Sequence, residues 1–443
     1  MLQKSRILRP ETNCKSIPMK LIFAILLAAF TSVAFAQNRA KIVNVKEVSR
    51  IEHVLASDEM QGRKTFTPSI DRAADFIASE FKKSGLQHFD GLPGYRQTFS
   101  LIKVTTVSAS GNLDGKPIAA ENVIAITTAA DLNINEDSAF KMAVIDDTSN
   151  LFREAYRILK SNQKYVVWVN TAHQKNFQQL KRFRRESFEE KAPVIFVLTN
   201  ENPTAFHFEV KSNITTPSLT NVIGVLPGKS EKDEYVIFSA HYDHLGIGKP
   251  DATGDSIYNG ANDDAAGTTA VIMLADYFSK IRGNERTLIF ATFTGEEIGG
   301  FGSQYFSKQI DPAKVVAMFN IEMIGTQSKW GSNSAYITGY EKSDFGKILQ
   351  SNLKGSDFHF EPDPYPEQNL FYRSDNATLA ALGVPAHTIS TSKMDNEPNY
   401  HKQSDEVKTL DMENMARIIT AIAISSRTIV SGKDTPVRIE KRD

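Results

Sequence analysis

The sequence predicts an α/β fold: a three-layer sandwich with a mixed, largely parallel central sheet flanked by helices, interrupted by a β-rich inserted domain. Three observations predict it. After Thr220, apolar runs of strand length alternate with segments of helix length, the pattern of a substantially parallel sheet. Two amphipathic stretches stand near the start of the chain. Between these regions, residues 105–215 carry short apolar runs separated by Gly, Asn and Asp turns, the rhythm of a separate unit. A chain of 443 residues has room for two or three domains at about 150 residues each.

Residues 41–56 and 69–84 place apolar side chains at i, i+3 or i+4, and i+7, which predicts helices, the second closed by Gly85. In the insert, Asn122–Ile126, Tyr165–Val169 and Val194–Leu198 predict strands. The run Gln178–Glu190 predicts a charged helix with a solvated face, because its charges nearly cancel. Further on, Tyr235–Ala240 predicts a buried strand, and Ala265–Lys280 a helix with Val271, Leu274 and Phe278 apolar. Arg286–Thr294 and Val315–Ile324 predict two more strands. Helices Lys342–Leu353 and Asn376–Leu382, strand Ala386–Ser390 and a last helix Met412–Ile429 complete the pattern. The expected organisation is a signal peptide at 1–36, a main domain over 37–104 and 216–432, the insert over 105–215, and a charged tail at 433–443.

A net charge of −1, with no basic block, leaves no footprint for nucleic acid. Met19-Lys20, the apolar run Leu21–Phe30 and Ala34-Phe35-Ala36 form a secretory signal with cleavage expected after Ala36. The expected location is therefore secreted or periplasmic, with no membrane attachment after cleavage, and Met19 can serve as the start. The apolar core is shorter than the ~20 residues that span a bilayer. Cys14 is the one cysteine and precedes the expected cut. A mature chain without cysteine builds any zinc site from His and carboxylate.

In open α/β sheets, ligands bind outside the carboxyl ends of the strands, and the unusual residues fall there. The first strand of this half runs into His241-Tyr242-Asp243-His244, the second into Gly295-Glu296-Glu297, and the third into Glu322. Gly260-Ala261-Asn262-Asp263-Asp264 opens a helix, and Asn399-Tyr400-His401 follows the last strand. Each piece alone has a structural explanation. Thr294 to Glu297 fits a capping box, Asp263 or Asp264 fits an N-cap, and His241 and His401 fit hydrogen-bonded structural histidines. Glu322 is harder to explain away, because a carboxylate in a buried run must be paired, protonated or metal-bound. Convergence of these features on one sheet edge points to a metal centre. Two zinc ions ~3.5–4 Å apart need a bridging carboxylate, an imidazole and a carboxylate each, and a spare carboxylate to take a proton from water. The motifs supply those residue types.

The motifs resemble those of the co-catalytic di-zinc aminopeptidases, peptidase family M28, which include secreted bacterial leucyl aminopeptidases, the glutamate carboxypeptidases and, as a non-catalytic relative, the transferrin receptor. The resemblance covers roughly residues 220–430. It implies two Zn²⁺ per chain: Glu297 and His401 on the first, His241 and Glu322 on the second, and Asp263 bridging. It implies Glu296 as general base, Asp243 orienting the other ring nitrogen of His241, and Asp264 supporting the bridge through a cis bond to Asp263. Tyr400 is expected near the scissile carbonyl, with Arg373 and Asp375 in the segment lining the substrate pocket. Glu322 departs from the family, which usually has Asp there. His244 has no family role, and His387 is expected at the edge of the core. The insert resembles a protease-associated domain. The implied activity is removal of N-terminal residues from peptide substrates. The alternatives are carboxypeptidase or dipeptidase action, a glutaminyl cyclase, and a non-catalytic binding module.

Overall fold

A computed structural model describes residues 43–442, so the expected signal peptide, Cys14 and the cut after Ala36 lie outside the described residues. Within them, no helix is long and apolar enough to cross a membrane.

Alternation along the strands builds the three layers. In strand Glu231–His241, Phe238 pairs with Phe290 and Phe319 on the neighbouring strands, and Ile237 pairs with Ile289 and Met318. The Phe238 face is aromatic: its ring lies 5.6 Å from Phe290, 4.9 Å from Phe319 and 5.3 Å from Phe278, all stacked. Helices Val45–Leu55, Pro68–Lys83, Ala266–Ile281, Phe345–Asn352 and Met412–Ser425 cover this face. The Ile237 face packs under Phe306 and Leu379 of helices Phe301–Gln309 and Asn376–Ala381.

The strands lie in the order 87–88, 218–226, 286–293, 231–241, 315–321, 386–390, 334–337 and 359–362, with 96–100 also paired to 218–226. The four from 286–293 through 386–390 are parallel, which brings their carboxyl ends to one edge. Strands 218–226 and 334–337 run antiparallel on either side. The sheet is mixed and largely parallel at its centre, buried on both faces as such sheets are.

Residues 103–215 form two four-stranded sheets. One orders Val123–Ile126, Val194–Leu198, Tyr165–Val169 and Lys141–Ile145, the last three parallel, with helix Leu151–Lys160 as a crossover. The helix expected over Gln178–Glu190 does not form. A single 3₁₀ segment, Gln178–Phe183, gives way to extended chain that bridges Ile102 through Ser187. The reason is Phe188, which leaves the insert to pack on Phe99 and Phe301 of the main domain. The charged tail lies along the Ile237 face, where Ile439 is buried and its N–H donates to Gly383 O at 3.1 Å. Arg438 donates to Val315 O at 2.7 Å. One Ile among charged residues is too little pattern to reveal that docking.

Candidate metal centre

Loops meeting at the parallel edge are each held by a buried side chain. Residues 260–265 form a wide turn from left-handed Gly260 (φ 58°) into the helix, with a cis bond between Asp263 and Asp264. Asp405 clamps the turn, its two carboxylate oxygens accepting from Asn262 N–H at 2.8 Å and Asp263 N–H at 3.0 Å. Asp264 accepts from Gly267 N–H at 3.0 Å and Met323 N–H at 2.9 Å, tying the turn to the residue after Glu322. Arg63, fully buried, donates to the carbonyls of Leu55, Tyr242, Asn259 and Gly260 at 2.6–2.8 Å. One guanidinium thus joins the loop after His241 to the loop before Asp263. Sequence reading missed Arg63 and Asp405, because each is one charge among others in a polar stretch and only the fold reveals its partners.

The capping alternative for Thr294–Glu297 fails. Thr294 Oγ1 is buried without a hydrogen-bond partner, and the next helix begins at Phe301. Asp243 holds this turn instead, accepting from Glu296 N–H at 3.1 Å and Glu297 N–H at 3.4 Å. That corrects its expected role behind His241. Its carboxylate is 3.8 Å from His241 Nδ1, and the closer contact of that nitrogen, 3.2 Å, is to the main-chain carbonyl of Asp243. Two backbone donors compete for the carboxylate and win.

The expected ligands converge on Asp263. Its Oδ1 lies 3.2 Å from His241 Nε2 and its Oδ2 lies 3.3 Å from His401 Nε2. Glu297 Oε2 is 3.3 Å from the same His401 nitrogen. His241, Asp263 and Glu322 each offer a ligand atom within 4.8 Å of the others. These spacings fit zinc: two ligand atoms at ~2.0–2.1 Å from a tetrahedral ion stand about 3.3 Å apart. His241 Nε2 and Glu322 Oε2 are buried without a hydrogen-bond partner. His241 Nε2 is close to Asp263 yet not aligned to bond it, as two ligands facing a shared third atom would be.

Electrostatics point the same way. Burial raises Glu322 to about 7, with His241 opposing the rise. Burial also lifts Glu296 and Asp264 well above the carboxylate range, and Asp243 to about 7. Asp263 and Glu297 go the other way. Burial would raise both, but the imidazoles of His241 and His401 hold Asp263 low, and those of His244 and His401 hold Glu297 low. His401 is raised to about 10 by Asp263 and Glu297. Carboxyls buried this close together ionise in common only beside bound cations.

A cavity opens on this cluster, lined by Asp263, Glu296, Glu322, Arg373, Tyr400 and His401 among others. Tyr400 stacks on His401 with ring centroids 4.0 Å apart. Asp375 is corrected: it is 1% exposed, lies outside the cavity lining, and has both carboxylate oxygens buried without hydrogen bonds. Ser374 takes the wall position, held by Asn320 Nδ2 at 2.7 Å. His387 is wholly buried rather than at the edge of the core. Its Nδ1–H donates to Thr338 O at 2.9 Å, and its Nε2 accepts from Ser343 Oγ at 2.7 Å, which fixes a neutral ring. His244, with no expected role, sits inside the cluster, 2.7 Å from Glu297.

Comparison with known proteins bears on the family and the fold. A sequence model of peptidase family M28 matches residues 221–425. A probable zinc metalloprotease of Pyrenophora teres f. teres (strain 0-1) is 34% identical over 110 residues, which is 24% of this chain and 23% of that protein. The chain thus spans about a quarter of the length of the curated relatives it matches. The fold matches an aminopeptidase from Aneurinibacillus sp. strain AM-1 with TM-score 0.54 and 15% identity, covering 91% of this chain and 96% of that one. It also matches a zinc aminopeptidase from Bacillus subtilis with TM-score 0.54 and 16% identity, covering 87% and 95%.

Proposed function

We propose that the chain, which matches peptidase family M28 through residues 221–425, is a di-zinc aminopeptidase removing N-terminal residues from peptides. One observation carries the reading. The two oxygens of Asp263 face two different imidazoles, His241 at 3.2 Å and His401 at 3.3 Å, as a bridging carboxylate requires. Glu297 and His401 would hold one ion, His241 and Glu322 the other. Bound there, two zinc ions would supply Lewis-acid polarisation of the scissile carbonyl and an activated water at neutral pH.

The remaining work falls to the chain's own residues. Glu296 stands in the cavity wall, its backbone fixed by Asp243 and its carboxylate raised well above its ordinary value by burial, as suits a group that takes up a proton. It takes the proton of the attacking water and returns it to the leaving amine. Tyr400, stiffened by stacking on His401, borders the same space. Glu296 and Glu322 line the wall with carboxyl oxygens that can accept from a free α-ammonium group, which supports N-terminal action.

Zinc-loaded enzyme is to be assayed on aminoacyl p-nitroanilides with and without an N-acetyl block. Hydrolysis of the free forms and resistance of the blocked forms is the expected result. Release of C-terminal residues from blocked peptides would instead make it a carboxypeptidase.

A further inference from the structure

We propose that His244 is a positioning residue that holds Glu297 in place to receive one of the two zinc ions; this rests on the di-zinc reading above. The ring is 1% exposed, and its Nδ1 lies 2.7 Å from Glu297 Oε1. The other oxygen of Glu297, Oε2, faces His401 Nε2 at 3.3 Å. The carboxylate is therefore divided: one oxygen is tied to His244 and the other is presented to the centre.

Distance separates this role from that of a ligand. Ligand atoms sharing a tetrahedral zinc stand about 3.3 Å apart, which the contacts of His401 with Glu297 and Asp263 match at 3.3 Å each. The 2.7 Å contact of His244 is too short for two ligands and has the length of a charge-assisted hydrogen bond, with the proton on Nδ1 because a carboxylate only accepts. Nor does the ring address the bridge, since its Nδ1 is 4.0 Å from Asp263 Oδ2.

The fold is built to admit this ring. Gly260 lies against it, and a Cβ there would fall 2.5 Å from His244 Cγ and Cδ2. The main-chain N–H of His244 donates to Arg63 O at 3.3 Å, so the same arginine that ties the loops also fixes the backbone carrying the ring. His244, Asp263 and Glu297 offer atoms within 4.8 Å of one another, which would also allow a ligand, but the 2.7 Å contact has the ring act on the metal through Glu297. Partners of metal ligands typically contribute about 10–100-fold to metal affinity.

The test uses metal-stripped full chain, titrated with zinc against a chromophoric chelator. Asn is the informative replacement, because its amide nitrogen reproduces Nδ1, while Leu has the same shape without a donor. His244→Leu is expected to weaken one of two zinc ions by about 10–100-fold and to leave the other unchanged, with both still bound at saturation. His244→Asn is expected to restore affinity to within a few-fold, and the melting temperature of the zinc-free Leu variant to stay at or above that of wild type. Wild-type affinity at both sites in His244→Leu would overturn the proposal. So would a saturation stoichiometry of one that Asn does not restore, which would make His244 a ligand. Wild-type protein that fails to bind two zinc ions would sink the di-zinc reading itself, a separate result.

Discussion

At the scale of single residues, the account rests on groups whose chemistry differs from their ordinary solution behaviour. Glu296 is the clearest case: a carboxylate raised by burial, placed in the cavity wall and outside both candidate ligand groups. Glu296→Gln is expected to keep zinc and melting temperature while losing about 10²–10⁴ in kcat, the usual size of a general-base contribution; metal analysis beside steady-state kinetics checks both halves. His387 makes a prediction about stability. Burial lowers it to about 4, below the ~6.5 of an unfolded chain. Below about pH 6.5 the unfolded state therefore binds a proton that the folded state refuses, and stability falls as pH drops toward 4. Between pH 7.5 and 5 the loss from this group is about 2 kcal/mol, and His387→Gln should shrink the pH dependence of urea midpoints by that amount. The ligand candidates were legible in the sequence because His and acidic residues at the ends of apolar runs have few bland explanations. His244, Arg63 and Asp405 were not, since their meaning lies mainly in partners between 53 and 197 positions away.

Elements were legible in proportion to their pattern. The parallel strands and their long helices announce themselves by apolar runs and stripes, and Ala386–Ser390 was placed to the residue. The strand Ser334–Ile337, the edge strand His359–Pro362 and the helix Phe301–Gln309 were missed, being short and mixed in polarity. Phe238 tests what joins the strands. Stacked on three rings and wholly buried, it should cost about 3–5 kcal/mol when cut to Ala, read as a lower denaturation midpoint. Arg63 tests what joins the loops. Arg63→Met leaves four carbonyls without this donor, at about 1–3 kcal/mol for each group left unsatisfied. The variant is expected to melt lower and to release zinc faster into chelator than wild type.

Over the whole molecule, the fold brings residues from five separate stretches, at 241–244, 263–264, 296–297, 322 and 401, to the edge where four parallel strands end. The insert of residues 103–215 supplies none of the candidate ligands and reaches the main domain through Phe188. Since bound ions stabilise only the folded chain, zinc should raise the melting temperature of stripped protein in a concentration-dependent way. The most direct test of the central claim counts the ions. Metal-stripped wild type reloaded with zinc and freed of excess should hold two zinc ions per chain, and Asp263→Ala should hold neither firmly, because one carboxylate serves both. A single zinc in wild type, or two retained by Asp263→Ala, would contradict a centre bridged by Asp263.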